Sequence, residues 1–195
     1  MPMECQMSKR RITLYACISV LLFIMSCTTT GPGGDKSLVL IPSAMETSIG
    51  LGMAEQVQQT EKISPDTVWQ KYLAEVGQKI VKVCDRKDIE YKFTVIESDQ
   101  INAFAAPGGF VYFYTGLLRE MKNESEMAAV MAHEISHVVA RHSAKQIQAT
   151  IGTQVALALL SGNSAEQNQA RDLAINAGMA LAFSGYSRSH EREAD

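Results

Sequence analysis

Residues 127–140, Met-Ala-Ala-Val-Met-Ala-His-Glu-Ile-Ser-His-Val-Val-Ala, are apolar except at His133, Glu134, Ser136 and His137. A helix this apolar is buried, and it takes two imidazoles and a carboxylate into the interior with it. Without partners those groups would cost several kcal/mol. Spacing names the partner. His133 and His137 lie about 400° apart around a helix, so both project from one face and grip a single ion. Glu134 stands about 100° round from His133 and reaches a water on that ion without being a ligand. The pattern His-Glu-x-x-His arises by chance in on the order of one chain in two hundred of this length. Two satisfied core histidines are the competing reading, and helical context and burial both favour the motif. Two imidazoles with an open position also favour zinc, one ion per chain, over magnesium or calcium.

Two imidazoles leave the ion short of a third protein ligand, and the tail Ser187-Arg-Ser-His-Glu-Arg-Glu-Ala-Asp195 supplies candidates. Glu191 and Asp195 are four residues apart. On one helical face the first binds the ion while the second accepts the N–H of a ligand imidazole. Glu193 points about 200° away from Glu191 and is expected to be a surface carboxylate. His142, placed near the end of the motif helix, is expected to be solvated; His190 stays open.

Around this centre the sequence reads as one α+β domain over residues 43–195. Ser43 with Glu46 has the form of a capping box and opens a helix to about Lys62. Ser64-Pro65-Asp66 starts a second helix, with Pro at its first position. Residues 89–95 alternate apolar and polar, as a strand with one covered face does. Residues 101–106 and 110–115 flank Pro107-Gly108-Gly109 and form a hairpin in a small antiparallel sheet. Asn123 caps the motif helix, with Glu126 three positions on, and the helix is expected to reach Gln148. The small-residue stretches 151–160 and 173–183 are read as close-packed helices.

A net charge of -3 over 195 residues offers phosphate no general attraction, so nucleic acid is not an expected partner. The N-terminus points to a membrane instead. Lys9, Arg10 and Arg11 precede the apolar run 12–25, which as a helix reaches roughly 21 Å, too short for a bilayer core of about 30 Å. Ile24-Met25-Ser26-Cys27 then resembles a bacterial lipobox, making residues 1–26 a signal peptide and Cys27 the lipidated residue. Residues 27–42 would be a flexible spacer. Thr28 after the anchor favours the outer membrane. Cys5 and Cys17 leave with the signal, so Cys84 alone remains as a thiol, a small core residue with no internal disulfide available.

Four ordered blocks carry a family resemblance: residues 102–112, Asn-Ala-Phe-Ala-Ala-Pro-Gly-Gly-Phe-Val-Tyr; Thr115-Gly-Leu-Leu; His133-Glu-Ile-Ser-His137; and Glu191-Arg-Glu-Ala-Asp195. The chain resembles the gluzincin metallopeptidases of family forty-eight, the HtpX and CAAX prenyl protease group, in its soluble periplasmic BepA-like branch. The resemblance implies a mainly helical zincin-like domain with a small antiparallel sheet beside the active-site helix. It implies zinc on His133, His137 and Glu191, Glu134 as general base, and Asp195 orienting a ligand. Asn102 and the strand with Phe110, Val111 and Tyr112 become candidate contacts for an extended or unfolded polypeptide added to the sheet edge. The implied activity is endopeptide hydrolysis of misfolded envelope proteins; a zinc-stabilised scaffold or chaperone-like factor in envelope assembly is the alternative. Because the chain stops at the motif's last residue, the domain is expected to be truncated at its C-terminus.

Overall fold

The computed structural model describes residues 28–30, 36–158 and 163–195. The apolar run 12–25 and Cys27 lie outside the described residues. Thr28–Thr30 (β1) pairs antiparallel with Lys36–Leu38 (β2). Val39 and Ile41 are buried in the core, so the domain begins to pack before residue 43, where the spacer was expected to extend to 42.

The first helix, α1, runs Ser43–Thr60 with Pro42 at its cap and no side-chain capping bond. Glu46 is therefore not the third member of a capping box: it is buried and paired with two arginines, as described below. Helix α2 runs Thr67–Val81, and its cap is Asp66, whose side chain accepts from Val68 and Trp69 N–H. Pro65 thus precedes the cap instead of occupying the first helical position. Gln70 on α2 closes one sheet edge, taking the Val95 N–H at 3.0 Å and giving its amide to the Val95 carbonyl at 3.1 Å.

Three strands follow, Lys92–Ile96 (β3), Ala103–Ala106 (β4) and Phe110–Tyr114 (β5), in the order β3-β5-β4. The β4–β5 hairpin is antiparallel, turning through the 3-10 segment Pro107–Gly109, while β3 joins β5 in parallel, so the sheet is mixed. Strand β5 is central and buried along its whole length. Its alternation divides the core. Phe110, Tyr112 and Tyr114 pack with Phe104 against Ile49, Met53 and Val57 of α1. Val111 and Phe113 pack on the opposite face with Leu73 and Val76 of α2 and with Met127, Met131, Ile135 and Val138. Each such side chain contributes about 1.5–3 kcal/mol on full burial.

The remaining helices are Thr115–Glu120 (α3), Glu124–Val139 (α4), His142–Ala158 (α5), Ser164–Ser184 (α6) and Arg188–Ala194 (α7). The domain is α+β and mainly helical. Gly178 of α6 lies against Met53 and Ile147, a close approach that only a small residue permits. Among the described residues no helix is long and apolar enough to cross a membrane.

Candidate metal centre

Helix α4 starts where sequence spacing puts it. Asn123 Oδ1 accepts the Glu126 N–H at 3.0 Å, and Glu126 Oε2 accepts the Lys122 N–H at 2.8 Å. It ends earlier than expected, at Val139. Arg141 adopts a left-handed backbone, φ 58°, unusual for a residue with a Cβ. Its side chain is held in that turn by Glu46 at 2.8 Å and by the Ile41 carbonyl. The chain then re-enters a helix at His142, whose side chain is turned back under α4. His142 is fully buried, a correction to the solvated position that an unbroken helix would give it.

His133 and His137 converge as the motif spacing requires. Their Nε2 atoms are 3.0 Å apart. Glu191 of α7 brings Oε2 to 3.2 Å from His133 Nε2 and Oε1 to 3.8 Å from His137 Nε2. One ligand atom from each of the three residues lies within 4.8 Å of the others. Asp195 Oδ1 is 3.0 Å from His133 Nδ1, so a neutral His133 carries its proton on Nδ1 and presents a bare Nε2. His137 is held neutral: burial, then the neighbouring histidines, push its pKa down to about 3. With the His137 proton on Nδ1, facing His142, two nitrogen lone pairs face each other beside a carboxylate, an arrangement that a cation among them relieves. A tetrahedral zinc with bonds of about 2.0–2.2 Å separates its ligands by roughly 3.4 Å, close to the three separations here. The donor set fits zinc.

Glu134 is buried beside this cluster. Burial pushes its pKa up to about 7, Glu191 adds to that, and His133 and a hydrogen bond from the Ala105 backbone pull the other way. Ala105 belongs to β4, the strand that packs against α4, and its carbonyl accepts the Tyr186 hydroxyl at 2.9 Å. The Tyr186 ring lies on His137, centroids 4.0 Å apart and planes 15° from parallel, and its hydroxyl is also 2.6 Å from Ser143 Oγ. Thus β4 supports both the acid and one imidazole.

The candidate substrate contacts are placed differently. Phe110, Val111 and Tyr112 are buried in the central strand, whose backbone is already paired on both sides, so they offer no edge to an added chain. Asn102 gives its carbonyl to Tyr114 N–H at 3.1 Å and extends β4, the strand nearer the cluster. Glu193 is not a surface carboxylate: its side chain is 9% exposed and sits 3.0 Å from His142 Nε2. Spacing along single helices does not reveal His142, Glu193 or Tyr186. The available signal is the histidine count, since all four histidines of the chain border this site. Cys84 is free and partly buried, 3.8 Å from the Tyr91 hydroxyl.

The model of Peptidase family M48 matches residues 68–195. A Vibrio cholerae protein named for beta-barrel assembly-enhancing protease activity is 36% identical over 149 residues, 71% of this chain and 30% of its own length. Mitochondrial metalloendopeptidase OMA1 of Schizosaccharomyces pombe is 36% identical over 124 residues, 64% of this chain and 36% of that protein. The beta-barrel assembly-enhancing protease of Escherichia coli is 32% identical over 126 residues, 65% of this chain and 26% of that protein. The chain thus spans between 26% and 36% of the length of these relatives.

Proposed function

This chain belongs to peptidase family M48, and we propose that it is a zinc-dependent endopeptidase that cleaves extended or unfolded proteins of the bacterial envelope. The observation that carries the reading is the convergence of His133 Nε2, His137 Nε2 and the Glu191 carboxylate on one point beside a buried Glu134. His133, His137 and Glu191 would hold the ion, with Asp195 fixing the His133 ring. When bound, zinc supplies a Lewis acid that polarises the scissile carbonyl and acidifies a water.

Glu134 does the proton work. Its carboxylate takes a proton from the water that attacks the carbonyl carbon and delivers it to the amine nitrogen as the C–N bond breaks. A carboxyl raised toward neutral pH both accepts and releases that proton readily. A lipid anchor at Cys27 would hold the domain at the periplasmic face of the outer membrane, where misassembled envelope proteins are its substrates and envelope-assembly proteins its partners. The names of the bacterial relatives favour that setting.

The test compares wild type with Glu134→Gln for zinc content and for cleavage of an unfolded protein such as reduced casein. The substitution is expected to keep the metal and remove hydrolysis. Equal cleavage by both proteins overturns the peptidase reading; retained zinc with no cleavage by either favours a zinc-stabilised scaffold.

A further inference from the structure

His137 faces the ligand cluster with Nε2 and turns its other nitrogen, Nδ1, to Nδ1 of His142, 2.8 Å away. His142 in turn sets Nε2 at 3.0 Å from Glu193 Oε2, and Lys145 Nζ lies 3.6 Å from the other Glu193 oxygen. The proton positions follow from the end of this chain of contacts. An ionised carboxylate only accepts, so His142 carries its proton on Nε2 and keeps a bare Nδ1. The bond between the two imidazoles then needs its proton from His137 Nδ1. That leaves His137 Nε2 with a free lone pair, directed at His133 and Glu191.

We infer that His142, backed by Glu193, is a positioning residue that fixes the tautomer and orientation of His137, as Asp195 does for His133. The inference rests on His137 being a metal ligand. A histidine suits this place better than a carboxylate. His142 is fully buried, and a carboxylate there would add a second buried anion to Glu134, whereas a neutral imidazole passes the hydrogen bond outward to Glu193, which Lys145 balances. Both rings are also clamped: His190 stacks on His142 with centroids 4.3 Å apart, and Tyr186 stacks on His137.

The experiment measures zinc affinity by competition with a chromogenic chelator, and the His137 tautomer of the metal-free protein by long-range nitrogen–proton correlation spectra. His142→Leu is expected to weaken zinc by about 10–100-fold, the usual cost of losing such an outer partner, and to turn a single Nδ1–H tautomer into a mixture. His142→Asn, whose amide oxygen accepts near the position of Nδ1, is expected to recover affinity to within about threefold of wild type and to restore the single tautomer. A purely packing role moves neither the tautomer nor the Asn rescue. If His142→Leu fails to fold, Glu193→Ala is read the same way, with about tenfold weaker zinc expected. A folded His142→Leu or Glu193→Ala protein that binds zinc within about twofold of wild type, with one His137 tautomer, overturns the inference. Wild type that retains no zinc overturns the metal reading itself, and this inference with it, so the two failures are distinct.

Discussion

Glu46 grips Arg86 through both carboxylate oxygens, at 2.9 Å each, although the two residues are forty positions apart and both are buried. The pair is the hub of a larger joint. Arg86 also donates to the Val138 carbonyl at 2.8 Å, at the end of α4, and Glu46 takes Arg141 Nε at 2.8 Å. One carboxylate therefore ties α1 to the left-handed turn that delivers His142 beneath the candidate ligands His133 and His137.

Glu46→Gln keeps the shape of the side chain and removes the anion shared by the buried Arg86, which keeps the exposed Asp88 at 3.2 Å, and the partly buried Arg141. Removing one partner of a buried ion pair costs about 3–5 kcal/mol, and that loss is expected in urea denaturation. A change below about 1 kcal/mol would show that water or rearrangement replaces the carboxylate, and that the joint does not hold the turn.

Gly50 is a second point where α1 is fixed. A Cβ built there would stand 2.0 Å from the Pro107 carbonyl oxygen, and a backbone oxygen in a tight turn has nowhere to move. Gly→Ala inside a helix ordinarily stabilises by about 1 kcal/mol. Here the sign reverses: Gly50→Ala is expected to destabilise by about 1–3 kcal/mol through overpacking. Gly178→Ala meets the flexible Met53 Sδ instead and is expected to cost less, with thermal denaturation ranking the two.

Asn123, His133 and His137 are legible in the sequence because each acts through spacing along a single helix, and a helix converts spacing into direction. Glu191, on α7, is reached through its own spacing with Asp195 and the family resemblance, and tertiary packing brings it to α4. Glu46 is misread through spacing as well. Its spacing from Ser43 fits a cap, but its partners lie forty and ninety-five positions away, where no local rule reaches. His142 fails on a conformational break. On an unbroken helix it would lie about 500° from His137, off the ligand face, and Arg141 reverses the chain just before it. The hairpin is readable from Pro107-Gly108-Gly109, and the five successive apolar residues of β5 are the mark of a strand covered on both faces. The parallel partner β3 is set by long-range packing against α2, which single-strand alternation does not encode.

The anchor expected at Cys27 has its own test. Cys27→Ser should abolish incorporation of a labelled fatty acid and move the protein from the membrane to the soluble periplasmic fraction. Zinc content should not change, because residue 27 lies far along the chain from every ligand. Unaltered membrane recovery of the variant would count against a lipid anchor there.

Metal removal should be felt most at α7. This short helix carries Glu191 and Asp195, and both reach α4 at the ligand cluster, at 3.2 and 3.0 Å from the two nitrogens of His133. With zinc about 100-fold above its dissociation constant, binding stabilises the folded state by about 2.7 kcal/mol, and a chelator should withdraw that amount. For a chain of this size the melting temperature should fall by roughly 5–10 °C. Hydrogen exchange should rise first in residues 188–195, because without the ion the bare nitrogens of His133 and His137 and the Glu191 carboxylate have no common partner. His133→Ala should melt at one temperature with or without chelator. Glu134→Gln should respond like wild type, since Glu134 faces the cluster without belonging to it. A wild-type protein indifferent to chelation would mean that α7 is held by its other contacts alone.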